Sequence, residues 1–180
     1  MRCFGDGDEL YEPYHDNEWG RPQTSERALF EKVCLEGFQA GLSWLTVLRK
    51  RAALREVFHG FEPAEVAAMD VTPLLEDARL IRSAAKLRAC VRNAEATLAL
   101  GGGLPDLVWS YRDDTAAPTS WQDVPPLTAG SAALAKQLKK AGFVFVGPTT
   151  VYSLMQAVGV VNDHLAGCVV RTEVEGLRVR

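Results

Sequence analysis

Cys3 and His15 lie near the start of the 180-residue sequence, and His164 and Cys168 lie in HLAGC near its end. A His and a Cys at i and i+4 sit on one face of a helical turn and can reach one cation together. Two thiolates and two neutral imidazoles around Zn2+ make a closed, charge-neutral tetrahedral site. Such a site would tie the two ends of the chain together and restrict the unfolded state as a disulfide does, adding roughly a few kcal/mol of stability. The same spacing is open to four unrelated residues, because a buried cysteine is by default a small apolar filler. Cys34 and Cys90 fall on apolar helix faces and are expected in the core. His59 shows no partner in the sequence.

A second constellation surrounds Glu36, a carboxylate in an otherwise apolar helical stretch, with Phe4, Tyr11, Tyr14, Trp19 and Trp44 as the nearby aromatic residues. A carboxylate in such company is costly unless something cationic or hydrogen-bonding meets it. An aromatic cage with one carboxylate suits a flat, cationic ligand. Each ring adds roughly 0.5–2 kcal/mol as a cation–π contact, and the carboxylate takes an exocyclic N–H. The alternative is that the rings are plain core.

The elements that must position these groups read as helices almost throughout. TSERALFEKVCLEGFQAGLSWLTVLRKR begins at a Thr24 or Ser25 cap and carries an apolar stripe through Leu29, Val33, Leu45 and Leu48 that Gly37 and Gly41 interrupt. Pro63 and Pro73 suit the first turns of two short helices. Ser83 can cap a helix that ends at Gly101–Gly103. DDTAAPTSWQDVPP reads as a loop. A helix then runs to Gly142, a short apolar hairpin to Gly147, and Pro148 opens the next helix. Two helices joined through a glycine-bounded hairpin can aim backbone N–H groups at a phosphate without side-chain charge. FVFV is the only candidate strand, so an all-α fold is expected.

The length fits one domain over 1–180, built as two helical lobes with its own core. No stretch approaches a membrane span, and the acidic N-terminus lacks the features of a signal peptide, so a cytoplasmic protein with reduced thiols is expected. The net charge of −3 argues against a generally adhesive nucleic-acid binder. Its distribution is uneven. Asp6, Asp8, Glu9, Glu12, Asp16 and Glu18 crowd the first twenty residues, whereas Arg79, Arg82, Lys86, Arg88 and Arg92 form a stretch without acids. Arg49, Lys50, Arg51 and Arg55 form a further basic cluster, as do Lys136, Lys139 and Lys140. Such clusters fit either solvated helix faces or a phosphate-facing side.

YHDNEWG (14–20), CLEGFQAGLSW (34–44), FVGPTTVYSLMQAVGVVNDH (145–164) and HLAGC together make the chain resemble the 3-methyladenine DNA glycosylase I family over nearly all of residues 1–168. The resemblance implies an all-α helix-hairpin-helix glycosylase fold, with that element at about 131–163 and a structural zinc site built from 3–15 and 164–168. It implies a monofunctional enzyme that flips 3-methyladenine out of double-stranded DNA containing alkylated bases and hydrolyses its N-glycosidic bond. By the same resemblance Cys3, His15, His164 and Cys168 are the zinc ligands. Glu36 is the base-recognising and catalytic carboxylate, and Tyr11, Tyr14, Trp19 and Trp44 form the aromatic pocket. Gly41 and Leu42 form the wedge that fills the gap left by the flipped nucleotide. Gly142, Gly147 and Thr149 belong to the DNA-binding hairpin, where the superfamily also admits a monovalent cation at the carbonyls. The superfamily's usual catalytic Asp falls at Asn162, and its lyase lysine falls near Thr149, so no Schiff base is expected. The protein is expected to act as a monomer.

The sequence departs from that family at two places. Family members carry a Trp shortly after the first zinc cysteine, where Phe4 and Gly5 follow Cys3 here, and the Cys3–His15 interval is one residue short. Arg79 replaces a glycine typical of a helix turn, which costs roughly a kcal/mol if the turn needs φ > 0; otherwise the turn differs and Arg79 meets phosphate. Asp163 is a candidate for orienting water, with capping or surface hydration as its alternative. Three competing functions remain: the same fold acting on another N3-alkylated purine, a non-catalytic lesion-binding module, and a catalytic metal. The last is disfavoured because four protein ligands leave no open position.

Overall fold

The first long helix starts where a hydroxyl can cap it. After a short α1 (Tyr11–Asn17), the Ser25 side chain accepts from the Ala28 N–H, and α2 runs Glu26–Gln39 in the computed structural model, which describes residues 1–178. Its buried Leu29, Phe30, Val33, Leu35 and Phe38 make it the central helix, packed against its neighbours α3 (Trp44–Val57), α5 (Ala84–Ala99), α6 (Leu104–Trp109) and α8 (Pro148–Ala157), while the five-residue α4 (Pro63–Ala67) lies on α5. Gly37 does not interrupt this helix. It stays helical, and a Cβ there would meet the Phe145 Cβ at 3.3 Å, so its missing side chain lets the 143–147 turn approach. The break comes at 40–43, where Gly41 takes φ +75° and Ser43 caps α3 by accepting from the Thr46 N–H.

Ser83 occupies the N-cap position of α5 without a side-chain cap bond, and Pro73 opens a 3-10 turn (Thr72–Leu75) rather than an α-helix. α7 (Ala129–Lys140) begins with a reciprocal Thr128–Ser131 cap, and α9 (Arg171–Arg178) closes the described chain. No strand occurs among the described residues, so FVFV is a turn and the fold is all-helical, as expected. No helix among them is long and apolar enough to cross a membrane. Cys34 and Cys90 are buried in the core, where burial holds the Cys34 thiol well above its ordinary pKa and leaves it an inert apolar filler.

Arg79 needs no left-handed backbone: among the described residues, the non-glycine ones with positive φ are His59, Phe61 and Phe145. The Arg79 guanidinium pairs with Asp77 and Glu56. His59 has a partner after all, with Nδ1 3.3 Å from Glu65 Oε2.

The N- and C-terminal segments meet where the chain leaves α8. The Gln23 N–H donates to Val158 O, and Gly159 lies against 20–22. A Cβ at Gly159 would fall 2.6 Å from Gly20 O and 3.0 Å from Pro22 N, at a backbone φ of +82°. Gly159→Ala therefore combines backbone strain with overpacking and is expected to cost about 2–3 kcal/mol. Thermal denaturation should show a midpoint lower by roughly 5–10 °C.

Candidate active site and metal centre

Cys3, His15, His164 and Cys168 come together, with ligand atoms all within 4.8 Å of one another and three of the residues buried. The Cys168 Sγ lies 3.4 Å from both His15 Nε2 and His164 Nδ1, and the Cys3 Sγ lies 3.6 Å from His164 Nδ1. Tetrahedral bonds of about 2.3 Å to sulfur and 2.0–2.1 Å to nitrogen put S and N about 3.5 Å apart, so the donors are spaced for one small ion. The far ring nitrogens are also partnered: His15 Nδ1 lies 2.7 Å from Asp16 Oδ1, and His164 Nε2 donates to Trp19 O at 3.0 Å. Such outer partners fix the tautomer that leaves the inner nitrogen free to ligate. Asp16 is in turn held by Arg2. The donor set fits a metal ion.

The helical turn that carries His15 also carries Tyr14, and adjacent residues face different ways. His15 enters the metal cluster, while Tyr14 lines a cavity of about 250 Å3 with Phe4, Tyr11, Trp19, Glu36 and Trp44. That is small against the roughly 300–1,000 Å3 of common ligand pockets and suits a single planar heterocycle. All five residues assigned to base binding line this one cavity. Tyr14 packs on Trp44 with centroids 5.1 Å apart, and Phe4 packs on Tyr11 at 5.2 Å and on Trp19 at 5.0 Å.

Glu36 projects from α2 and is 4% exposed. Among the described residues its Oε2 has no hydrogen-bond partner, and neither does the buried indole Nε1 of Trp44. A buried polar group left unmet costs roughly 1–3 kcal/mol. Both unmet groups belong to residues that line this one cavity, an acceptor on Glu36 and a donor on Trp44. Burial pushes the Glu36 carboxyl up to about 8, against the opposing pull of Lys32. Lys32, one turn earlier on α2, is itself buried, with its Nζ 5.2 Å above the Tyr14 ring and 3.5 Å from Glu18. Arg51 completes a fork on Glu18. This ion network fixes Tyr14 and uses Arg51 internally, not as a phosphate contact.

A second cavity continues from the first through shared Glu36, Gln39 and Ser153 and reaches Leu42, Thr149 and Thr150. Leu42 is 41% exposed. Lys86 caps the end of α2 by donating to Phe38 O and Ala40 O, so it too is spent on positioning the Gly41–Leu42 turn. Gly142 (φ +101°) ends α7, and Gly147 is the N-cap of α8. Between them the buried Asn93 of α5 clamps Val144 at both its N–H and its carbonyl.

Asp163 is neither a cap nor a surface group. It is buried and accepts from Tyr152 Oη and Gln156 Nε2, both at 2.7 Å. It does not line the Glu36 cavity, but Gln156 does, so the carboxylate sets the orientation of that amide. Asn162 is also outside the cavity: its Oδ1 accepts from the His164 N–H and its Nδ2 donates to Glu175, tying the metal segment to α9. Gln39, Ser153, Gln156 and Trp121 line the cavity without having been singled out in the sequence. Ser153 and Gln156 are i and i+3 on α8, a spacing without chemical signature. Trp121 carried the only usable signal, a large aromatic in a polar loop.

Residues 4–172 match the family model described as methyladenine glycosylase. DNA-3-methyladenine glycosylase 1 of Escherichia coli (strain K12) is 50% identical over 170 residues, covering 89% of this chain and 91% of that protein. A crystal structure of 3-methyladenine DNA glycosylase I superposes with a TM-score of 0.90 at 49% identity, covering 94% of this chain and 98% of that one. A structure of the same enzyme type in complex with 3-methyladenine gives 0.87 at 34% identity, covering 94% and 96%. A family match over most of the chain, together with a fold that brings the sequence-assigned pocket residues to one cavity, leads to one statement of kinship: this chain belongs to the methyladenine glycosylase family.

Proposed function

We propose that the protein excises 3-methyladenine from alkylated DNA by hydrolysing the N-glycosidic bond, with the Glu36 cavity receiving the flipped base. The observation that carries this reading is the unmet pair in an aromatic cavity, the Glu36 carboxylate and the Trp44 N–H. A purine edge with an amino donor and a ring-nitrogen acceptor answers both. Relatives named for this activity, and a structural neighbour with 3-methyladenine bound, support the same substrate.

The lesion determines what the site must do. Methylation at N3 makes the base cationic, so it leaves as a neutral purine and much of the barrier is already gone. The protein pays a few kcal/mol to unstack the nucleotide. It then holds the base against Tyr14 and Trp44 and offers negative charge from Glu36 to the cationic base and to positive charge developing on the sugar. Normal adenine, being neutral, gains little from the carboxylate. Leu42 beside Gly41 is the wedge, and α7, the Gly142–Gly147 turn and α8 act as the helix-hairpin-helix element, with the α8 N-terminus at Thr149 facing the DNA backbone. Arg82, Arg88, Lys136, Lys139 and Lys140, exposed and outside any ion pair among the described residues, supply phosphate contacts. The metal is zinc in a structural role, and residues 1–180 act as a single glycosylase domain. Thr149 at the lyase-lysine position leaves the enzyme monofunctional.

Mass-spectrometric identification of bases released from methylated duplex DNA tests the reading. 3-Methyladenine should accumulate beyond the enzyme concentration, with no strand nicking. Release of a different N3-alkylated purine would move the specificity, and release only stoichiometric with protein would remove the catalytic assignment.

A further inference from the structure

We propose that Trp121 is a base-contacting residue, a rigid outer wall of the base pocket supplied by the loop between α6 and α7; this rests on the Glu36 cavity being the base site. Its ring is among the cavity's lining and is 41% exposed, whereas Tyr14, Trp19 and Trp44 are buried. An exposed indole is not retained for burial, and its apolar area remains available to a ligand.

The loop around it is held far more firmly than a connector requires. Asp123 Oδ2 accepts from the Thr119 N–H at 2.9 Å, Thr119 Oγ1 at 2.7 Å and the Ser120 N–H at 2.9 Å. The Ala166 N–H donates to Pro118 O at 2.8 Å, which ties the loop to the segment between His164 and Cys168. The indole Nε1 donates to Cys3 O at 2.9 Å, and the ring leans on Phe4 and Trp19 with both centroid distances at 6.2 Å. The side chain is thus fixed before any ligand arrives, and the ordering cost of a binding surface is already met in folding. The polar edge is turned into the protein, leaving an electron-rich face for a planar ring. Indole is the best side-chain surface for a cationic heterocycle, and stacking on it is indifferent to hydrogen-bond pattern. Glu36 reads the edge of the base and Trp121 its plane.

The experiment compares metal-loaded Trp121→Ala and Trp121→Phe with the unaltered protein and with Glu36→Gln. It measures calorimetric binding of free 3-methyladenine, binding of duplex DNA carrying a tetrahydrofuran abasic analogue, and steady-state excision. Trp121→Ala should weaken binding of the neutral free base about tenfold through lost stacking and raise KM for excision more than it lowers kcat, leaving abasic-duplex affinity unchanged because that ligand has no base. Trp121→Phe keeps a ring but loses the N–H and should recover most of the loss. Equal damage by both variants, together with loss of metal, would assign Trp121 to the bond with Cys3 alone and overturn the proposal. Unchanged base binding in Trp121→Ala overturns it too. If Glu36→Gln also leaves excision unchanged, the cavity is not the base site and the assignment of Trp121 falls with it; a silent Trp121→Ala beside a Glu36→Gln impaired in excision sinks Trp121 alone.

Discussion

Glu36→Gln is expected to lower kcat/KM for 3-methyladenine release by about 100-fold or more, the scale on which a preorganised electrostatic group acts in a water-poor site. The variant keeps the shape and one acceptor but removes the charge. Burial holds the free-enzyme carboxyl up to about 8, so kcat/KM of the unaltered enzyme should rise with pH until a single ionisation near 8 is complete. In the complex the cationic base favours the carboxylate, and kcat should keep its plateau to lower pH. Glu36→Gln should flatten the kcat/KM profile. Stability should move the other way. The folded pKa lies above the ordinary value of 4.5, so the native state holds the extra proton across that window and stability is lost as pH rises from 4.5 through about 8. Glu36→Gln removes that loss. Its melting temperature should match the unaltered protein near pH 4.5 and exceed it increasingly towards pH 8. An activity and a pH profile like those of the unaltered enzyme would remove Glu36 from the chemistry.

The four residues of the candidate metal cluster and the aromatic group around Glu36 were legible in the sequence because their residue types are expensive or rare: a carboxylate among apolar neighbours, and two of only three histidines, one with a cysteine towards each end of the sequence. The metal-site residues were expected to meet, but the packing that brings the chain segments together was not legible: Gly159 lets the end of α8 press against 20–22. Basic residues were the least readable class. Lys86, Arg51 and Arg79 look like a phosphate-facing side in a one-dimensional count, yet they serve the end of α2, the Glu18 network and the Asp77–Glu56 pair. Charge reports that a partner exists, not whether it belongs to the protein or to a ligand. Asp163 was misread for a related reason. Its partners Tyr152 and Gln156 are eleven and seven residues away in the chain, beyond the local pattern that marks a cap.

Removal of the metal should have the second large effect, and on folding before chemistry. Without a cation, burial pushes the Cys3 thiol up to about 12 and the His164 imidazole down to about 4. At neutral pH these two groups are then neutral, in a cluster whose donor atoms all lie within 4.8 Å of one another. Loading an ion must release the thiol protons, so affinity should weaken as pH falls, and calorimetry in buffers of different ionisation enthalpy should register the protons released. A bound ion would join residues more than 150 positions apart, as in the 3.4 Å approach of Cys168 to His15, and that restriction of the unfolded chain should add several kcal/mol. Prolonged chelation should therefore lower the melting temperature by about 10 °C or more. Because His15 and Tyr14 share one turn of α1, the base cavity should loosen with it, and binding of free 3-methyladenine should fall in parallel with the loss of structure. Cys168→Ser should reproduce the effect without chelator. A chelated protein that melts normally yet no longer excises base would make the ion catalytic; one that melts normally and still excises would leave the four residues without a metal role.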